Sequence, residues 1–176
     1  MGVIGIDASG KRVAVVHMST RAKIIDVLYF ETVNKDEPMA DHARRFDTIS
    51  DYLLLQSIRE SITGIFVEDA YMGVSRRGSV NHAKVVGSVL AACATFAHDR
   101  PANETPVYPE TIMPATWRSR CGIKGRGKEP VWDWATSTFP ASRIKNQDIA
   151  DAACIAYAGI AIQQEQHLDS IRKAGL

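Results

Sequence analysis

The first third of the chain carries three apolar segments of strand length. They cover residues 1–7, 12–18 and 23–33, and short polar turns separate them. Segments of this length, bounded by turn residues, are typical of β-strands. Because the connections are short, the pattern predicts an antiparallel meander of three strands.

Beyond the meander, the pattern alternates between helix and strand. Residues 38–61 carry apolar side chains at roughly helical spacing, and Gly64 is expected to end that helix. The other expected elements are a strand at 65–68, a helix at 80–98, a strand at 106–110, a helix at 129–139 and a last helix at 146–162. A meander followed by alternating elements predicts an α/β sheet with helices on its faces, in one domain spanning residues 1–176.

Composition narrows the class of protein. The 176 residues are 45% hydrophobic and 23% charged, which is ordinary for a globular domain. No apolar run reaches the length of a membrane span, and the N-terminus lacks a signal-peptide pattern. The three cysteines are widely spaced, which indicates free thiols in a reducing compartment. We therefore expect a cytoplasmic protein without a membrane partner.

Positive charge is concentrated although the net charge is only +1. Two clusters contain no acidic residue and can bind an anion such as a nucleic acid phosphate, or they can be solvated loops. The first comprises Arg118, Arg120, Lys124, Arg126 and Lys128, and the second comprises Arg76, Arg77, His82 and Lys84.

Four carboxylates occupy positions where they can meet. Asp7 and Glu68 end two predicted strands, and the carboxyl ends of adjacent parallel strands lie side by side. Asp148 and Asp151 are three residues apart, so they share one face of the apolar last helix. Singly, Asp148 can be a first-turn acid behind an Asn146 cap, and Asp7 can be a turn residue. Together, the four acids need a cation to offset their repulsion.

Oxygen-only ligands favour Mg²⁺ or Mn²⁺. Four acids can hold two such ions, which is the arrangement that activates water and stabilises the leaving oxygen in phosphodiester cleavage. The four positions therefore predict a metal-dependent phosphodiesterase site.

Four motifs in this order resemble the RuvC family of Holliday junction resolvases, within the RNase H-like superfamily. They are IGIDASG, VEDAYMG, PATWRSRCGIKGRGK and NQDIADAACIA, and the resemblance covers roughly residues 2–162. It implies an RNase H-like fold, in which a five-stranded mixed sheet joins an antiparallel three-strand meander to two parallel strands, with helices on both faces.

The resemblance also implies roles for single residues. Asp7, Glu68, Asp148 and Asp151 match the four catalytic, metal-binding acids of the family. Tyr71 matches an aromatic residue that helps to hold the junction open, and Arg118 and Lys128 match basic residues near the scissile phosphate. The further expected DNA contacts are Arg76, Arg77, Lys124 and Arg126. Ala8 departs from the family, which often has proline there.

The implied activity is resolution of four-way DNA junctions in recombination and repair. The family acts as a homodimer with Mg²⁺ or Mn²⁺, about two ions per site, and nicks paired strands to leave 5′-phosphate and 3′-hydroxyl ends. We expect the helix at 80–98, with its small residues, to form the contact between subunits.

Three alternatives stay open at the level of sequence. The chain can be an RNase H-like nuclease that acts on flaps, forks or RNA–DNA hybrids, or a junction-binding protein without catalysis. A nucleotide-binding module of the actin and sugar-kinase superfamily also begins with a similar strand. That fold duplicates its domain, so it requires roughly twice this length.

Overall fold

One five-stranded sheet forms the centre of the computed structural model, which describes residues 1–31, 38–70, 76–101 and 103–175. Its strand order is β3-β2-β1-β4-β5. Strands β1, β2 and β3 form the antiparallel meander, while β4 runs parallel to β1 and β5 parallel to β4. The strands are β1 Gly2–Ala8, β2 Arg12–Ser19, β3 Ile24–Glu31, β4 Ile62–Glu68 and β5 Pro109–Ile112. The predicted mixed sheet is confirmed.

Helices cover both faces of the sheet, as predicted. Helices α1 and α2 bury one face together with Ile4, Ile6 and Val67, and α3, α4 and α5 bury the other with Val3 and Phe66. The helices are α1 Pro38–Arg59, α2 Arg76–His98, α3 Pro114–Arg120, α4 Glu129–Thr138 and α5 Gln147–Lys173. The sheet therefore has two separate cores, and a strand residue belongs to one or the other by alternation.

Several predicted boundaries were wrong. Helix α1 ends at Arg59, and Gly64 lies inside β4 because that strand pairs with β1 from Gly2 onward. Ile58, one of the apolar residues in the predicted helix at 38–61, is 77% exposed. Strand β5 covers Pro109–Ile112 rather than 106–110, α2 begins before residue 80, and α5 extends past Ile162.

The basic segment, for which the sequence predicted no secondary structure, divides into a helix and a loop. Its first half is the short helix α3, which begins at Pro114, a residue suited to the first turn because it lacks an N–H. The second half, residues 122–128, is a turn region that we call the basic loop. Gly122, Gly125 and Gly127 all have positive φ there, which glycine adopts without strain.

Helix α5 lies directly on the backbone of β1. A Cβ atom added at Gly5 would overlap the main chain of Ala152 and Ala156, and one added at Gly159 would overlap the Phe66 ring. Farther along α5, the side chain of Gln163 donates to the Thr63 carbonyl at the start of β4. Helix α5 therefore runs antiparallel to β1 and β4, and its first turn lies over their carboxyl ends.

Within the described ranges, one segment, Gly78–His98 of α2, is long and apolar enough to cross a membrane. Its Val85, Val89 and Phe96 are buried in the core that α2 shares with α1. Core helices of globular proteins meet the same criteria of length and composition, so the expected lack of a membrane partner stays a prediction.

The Gly5 contact predicts a position-specific loss of stability. Gly5→Ala should lower the free energy of unfolding by about 1–3 kcal/mol, because α5 must move away from β1 to admit the methyl group. Chemical denaturation of both proteins measures the difference. Gly10→Ala is the control, since its methyl group meets no atom within 4 Å. Equal losses in the two variants would contradict the close contact.

Candidate functional site

Strand alternation directs Asp7 and Glu68 toward α5. Val3 and Phe66 lie in the core beneath α5, and residues an even number apart on a strand face the same side. Ile6 pairs with Val67 in the parallel ladder, so the next residues along β1 and β4 are neighbours at the strand ends. Asp7 and Glu68 therefore lie side by side on the α5 face of the sheet.

The start of α5 brings the other two acids to the same place. Asn146 caps the helix, since its Oδ1 accepts a hydrogen bond from the Ile149 N–H at 2.9 Å. Asp148 and Asp151 follow within the first two turns, over the carboxyl ends of β1 and β4. All four predicted acids thus lie near one another at the strand ends. The charges of the other three consequently raise the pKa of Asp7.

Burial and mutual repulsion dominate the electrostatics of the cluster. Asp7 is only 8% exposed, and its pKa is raised well above the ordinary value by burial, then by the charges of Glu68 and Asp151 and a hydrogen bond with Glu68. Burial likewise raises the pKa of Asp151 to about 6, although a hydrogen bond from Gln147 Nε2, 3.0 Å from Asp151 Oδ1, opposes the shift. Protonation of these carboxyls relieves part of the repulsion when no cation is bound.

The four acids have the right donor atoms for a divalent cation, but their side chains do not yet form a coordination shell. In the part of the chain that the structure describes, no three Asp, Glu, His or Cys side chains converge closely enough to hold a metal ion as they stand. The donor atoms are nonetheless all carboxylate oxygens, the type that Mg²⁺ and Mn²⁺ prefer, and a divalent ion would offset the mutual repulsion that raises the pKa of Asp7. The residues therefore fit such an ion once their side chains are drawn together.

Three neighbours of the acids were missed by sequence reasoning. Arg12 begins β2, with its Nη1 3.7 Å from Asp148 Oδ2 and its Nε 3.2 Å from Glu31 Oε1. Trp117 is buried, and its Nε1 donates to Glu68 Oε1 at 3.2 Å. The third neighbour is Gln147, which donates to Asp151. The only feature of the sequence that could have indicated Arg12 is its place across a tight turn from Asp7.

The predicted DNA contacts fall into three groups. Lys124, Arg126 and Lys128 are exposed on the basic loop, and Lys128 is close enough to Asp151 to lower the pKa of that carboxyl. Arg118 is half-buried, and its Nη2 donates to the carbonyls of Gly125 and Gly127. Tyr71 and the side chains of Arg76 and Arg77 lie outside the described residues. DNA contact by all seven stays a prediction.

No family model and no curated protein sequence matches the chain, but several known protein structures superpose on it. Thermus thermophilus RuvC in complex with a Holliday junction substrate superposes with a TM-score of 0.67 at 14% identity, covering 93% of this chain and 96% of that one. A second Thermus thermophilus RuvC structure gives 0.68 at 14% identity, covering 94% and 97%. The yeast mitochondrial Holliday junction resolvase Ydc2 gives 0.56 at 15% identity, covering 99% and 86%.

These similarities establish the fold. The chain has the RuvC-like form of the RNase H-like fold over nearly its whole length, as the sequence motifs predicted. The sequence identity of 14–15% does not carry activity or residue roles from those proteins to this one.

The raised pKa of Asp151 predicts how metal-free stability depends on pH. The folded state retains a proton that the unfolded state releases, since the pKa rises from 3.8 to about 6 on folding. The resulting stability is fully present below the unfolded pKa and is lost as pH rises through about 6. Asp151→Asn, which is neutral throughout, should therefore lose about 2–3 kcal/mol less between about pH 4 and about pH 7.

Urea unfolding in a chelating buffer at several pH values measures this difference. Asp47→Asn on exposed α1 surface is the control and should follow the parent protein. Parallel curves for the parent and Asp151→Asn would contradict the buried, repelled state of this carboxyl.

Proposed function

We propose that the protein is a divalent-cation-dependent endonuclease that resolves four-way DNA junctions by paired nicking. One observation supports the proposal: the chain has a RuvC-like fold, and four acids lie together at its strand ends. These acids are Asp7, Glu68, Asp148 and Asp151. A protein with the same fold is described in complex with a Holliday junction substrate. In this proposal, residues 1–176 form one nuclease domain that acts in the cytoplasm, in DNA recombination and repair.

The four acids would hold Mg²⁺ or Mn²⁺, and their number suits two ions. When bound, such ions supply Lewis acidity and an activated water for phosphodiester hydrolysis, which leaves 5′-phosphate and 3′-hydroxyl ends. The chain's own neighbouring groups orient the acids. Gln147 Nε2 holds Asp151, the Trp117 N–H holds Glu68, and the Arg12 guanidinium lies near Asp148.

The basic loop would bind the DNA backbone beside these acids. Its exposed Lys124, Arg126 and Lys128 attract phosphates and offset the negative charge that would otherwise repel DNA from four carboxylates. Arg118 holds the loop through the carbonyls of Gly125 and Gly127, at 3.2 and 3.0 Å from its Nη2. The DNA backbone would then pass between the loop and the carboxyl ends of β1 and β4.

Resolution needs two symmetric cuts, so the active form in this proposal is a homodimer. Helix α2 offers a surface for it, because its outward face is lined by small side chains that permit close packing between helices. The exposed small residues are Ala83, Gly87, Ala91 and Ala94.

Cleavage of a panel of labelled substrates tests the activity. With Mg²⁺, the protein should nick four-way junctions in preference to flaps, forks, duplex and RNA–DNA hybrids, and it should not cut in a chelator. Asp7→Asn and Glu68→Gln should each reduce cleavage by about 100-fold or more, while junction binding survives because the basic loop is unchanged. Near-normal cleavage by both variants would contradict the assignment of these acids.

The same panel separates the alternatives. Equal cleavage of flaps or forks would identify a nuclease with broader branched-DNA specificity. Preference for the hybrid would indicate an RNase H-like activity, and tight junction binding without metal-dependent cleavage would indicate a binding protein.

The subunit contact is tested by Gly87→Arg. A Cβ atom at Gly87 meets no atom within 4 Å in a single chain, so the variant should fold normally. Analytical ultracentrifugation should then show a dimer for the parent and a monomer for Gly87→Arg. Thr138→Arg, which adds the same charge at the exposed end of α4, is the control and should remain dimeric. A dimeric Gly87→Arg variant would exclude α2 as the interface.

A further inference from the structure

Trp117 contributes a neutral hydrogen-bond donor to the acidic cluster. The side chain is 2% exposed and belongs to the core beneath α5. Its Nε1 lies 3.2 Å from Glu68 Oε1, and an indole N–H can only donate. A carboxylate accepts several hydrogen bonds or metal contacts, so Oε2 and the second lone pair of Oε1 stay available for a cation.

The indole is fixed in place by the turns on both sides of it. The backbone N–H of Trp117 donates to the Met113 carbonyl at 3.2 Å. The backbone carbonyl of Trp117 accepts a hydrogen bond from the Cys121 N–H at 3.0 Å. The buried Cys121 thiol in turn contacts the Cys154 carbonyl on α5 at 3.5 Å. Helix α3 therefore holds the ring between β4 and α5, where it has little freedom to leave Glu68.

The same short helix holds the basic loop. The Arg118 guanidinium carbon lies 5.5 Å from the centroid of the Trp117 ring, a cation–π distance. Arg118 also donates to two carbonyls of the basic loop, those of Gly125 and Gly127. Two adjacent residues thus join the carboxylate that ends β4 to the loop that carries the exposed cations.

We propose that Trp117 is a positioning residue, whose indole N–H fixes the Glu68 carboxylate in the orientation that receives a divalent cation. The inference rests on the proposed function for its metal, but it concerns this chain's own donor. Without the indole N–H, the Glu68 side chain at the strand end would sample other rotamers. The entropy lost when a cation orders that side chain would then reduce cation affinity. Through Arg118, the same residue holds the basic loop at a constant place relative to the acids.

Trp117→Phe separates this role from packing, because it keeps a buried aromatic ring and removes only the fused pyrrole with its N–H. Trp134→Phe is the matched control. The Trp134 ring packs edge-to-face against Phe139 and Tyr157, with centroids at 5.6 and 5.1 Å. Both substitutions trim an aromatic core contact, but only the first removes a donor from Glu68.

The first measurement is cation affinity without DNA, by titration with Tb³⁺ and competition with Mg²⁺. An indole beside the bound ion sensitises Tb³⁺ emission, so excitation of tryptophan should give a signal in the parent and in Trp134→Phe. Competition calorimetry, which needs no tryptophan, should show Mg²⁺ affinity reduced about 10–100-fold in Trp117→Phe. Junction binding in a chelator should change less than about 2-fold, since the loop cations remain and Phe keeps an aromatic ring beside Arg118.

A second measurement does not require that Trp117→Phe fold. The chain has three tryptophans. A protein carrying Trp132→Phe and Trp134→Phe therefore has Trp117 as its single indole. Its ¹⁵N-labelled N–H resonance should exchange slowly with solvent and should shift on addition of Mg²⁺. Glu68→Gln in the same background should move this resonance and abolish its response to Mg²⁺.

Each outcome bears on a separate claim. The positioning role would be overturned if Trp117→Phe bound Mg²⁺ with unchanged affinity, even if the parent cleaves junctions. It would also be overturned if the indole resonance shifted neither with Mg²⁺ nor with Glu68→Gln. A Trp117-dependent cation site in a protein that cleaves no branched DNA would support the positioning role and reject the proposed nuclease. Absence of any cation binding by the parent would reject both.

Discussion

The contact between α5 and β1 at Gly5 is the constraint on which the rest of the structure depends. No side chain separates the two main chains there, so the helix is fixed in distance and direction relative to the strand. Because α5 runs antiparallel to β1 and β4, its capped first turn lies over their carboxyl ends. Asp148 and Asp151 consequently meet Asp7 and Glu68, which alternation turns toward the same face.

The acidic cluster is unfavourable for the metal-free fold. Burial and repulsion raise the pKa of both Asp7 and Asp151, so stability is lost as these carboxyls ionise. Partners offset part of this cost, namely Gln147 at Asp151, Trp117 at Glu68 and Arg12 near Asp148. The stability that the packed cores provide offsets the cost of this cluster. Grouped carboxylates that destabilise the fold are expected at functional sites.

Sequence reasoning predicted the features that depend on local pattern. The meander, the alternating elements and the positions of Asp7 and Glu68 at strand ends follow from periodicity and turn residues, and the motifs predicted the RuvC-like fold. The β4 boundary was missed because the pairing of Gly2 with Ile62, and not local propensity, decides where that strand begins.

The contacts of Trp117 and Arg12 were missed for a related reason. Each depends on how a distant element packs: α3 against β4 and α5 for the indole, and α5 over the β1–β2 turn for the guanidinium. The local sequence pattern carries no information about where the indole N–H of Trp117 points.

The central claim is that the four acids at the strand ends form a divalent-cation site. Crystals of the protein soaked in Mn²⁺ and measured at the manganese absorption edge test it most directly, because anomalous scattering locates the ion independently of any assay. We expect an anomalous peak bounded by carboxylate oxygens of Asp7 and Glu68, with Asp148 or Asp151 completing the site. Saturating Mn²⁺ without a peak there, or with peaks only at other surface acids, would contradict it.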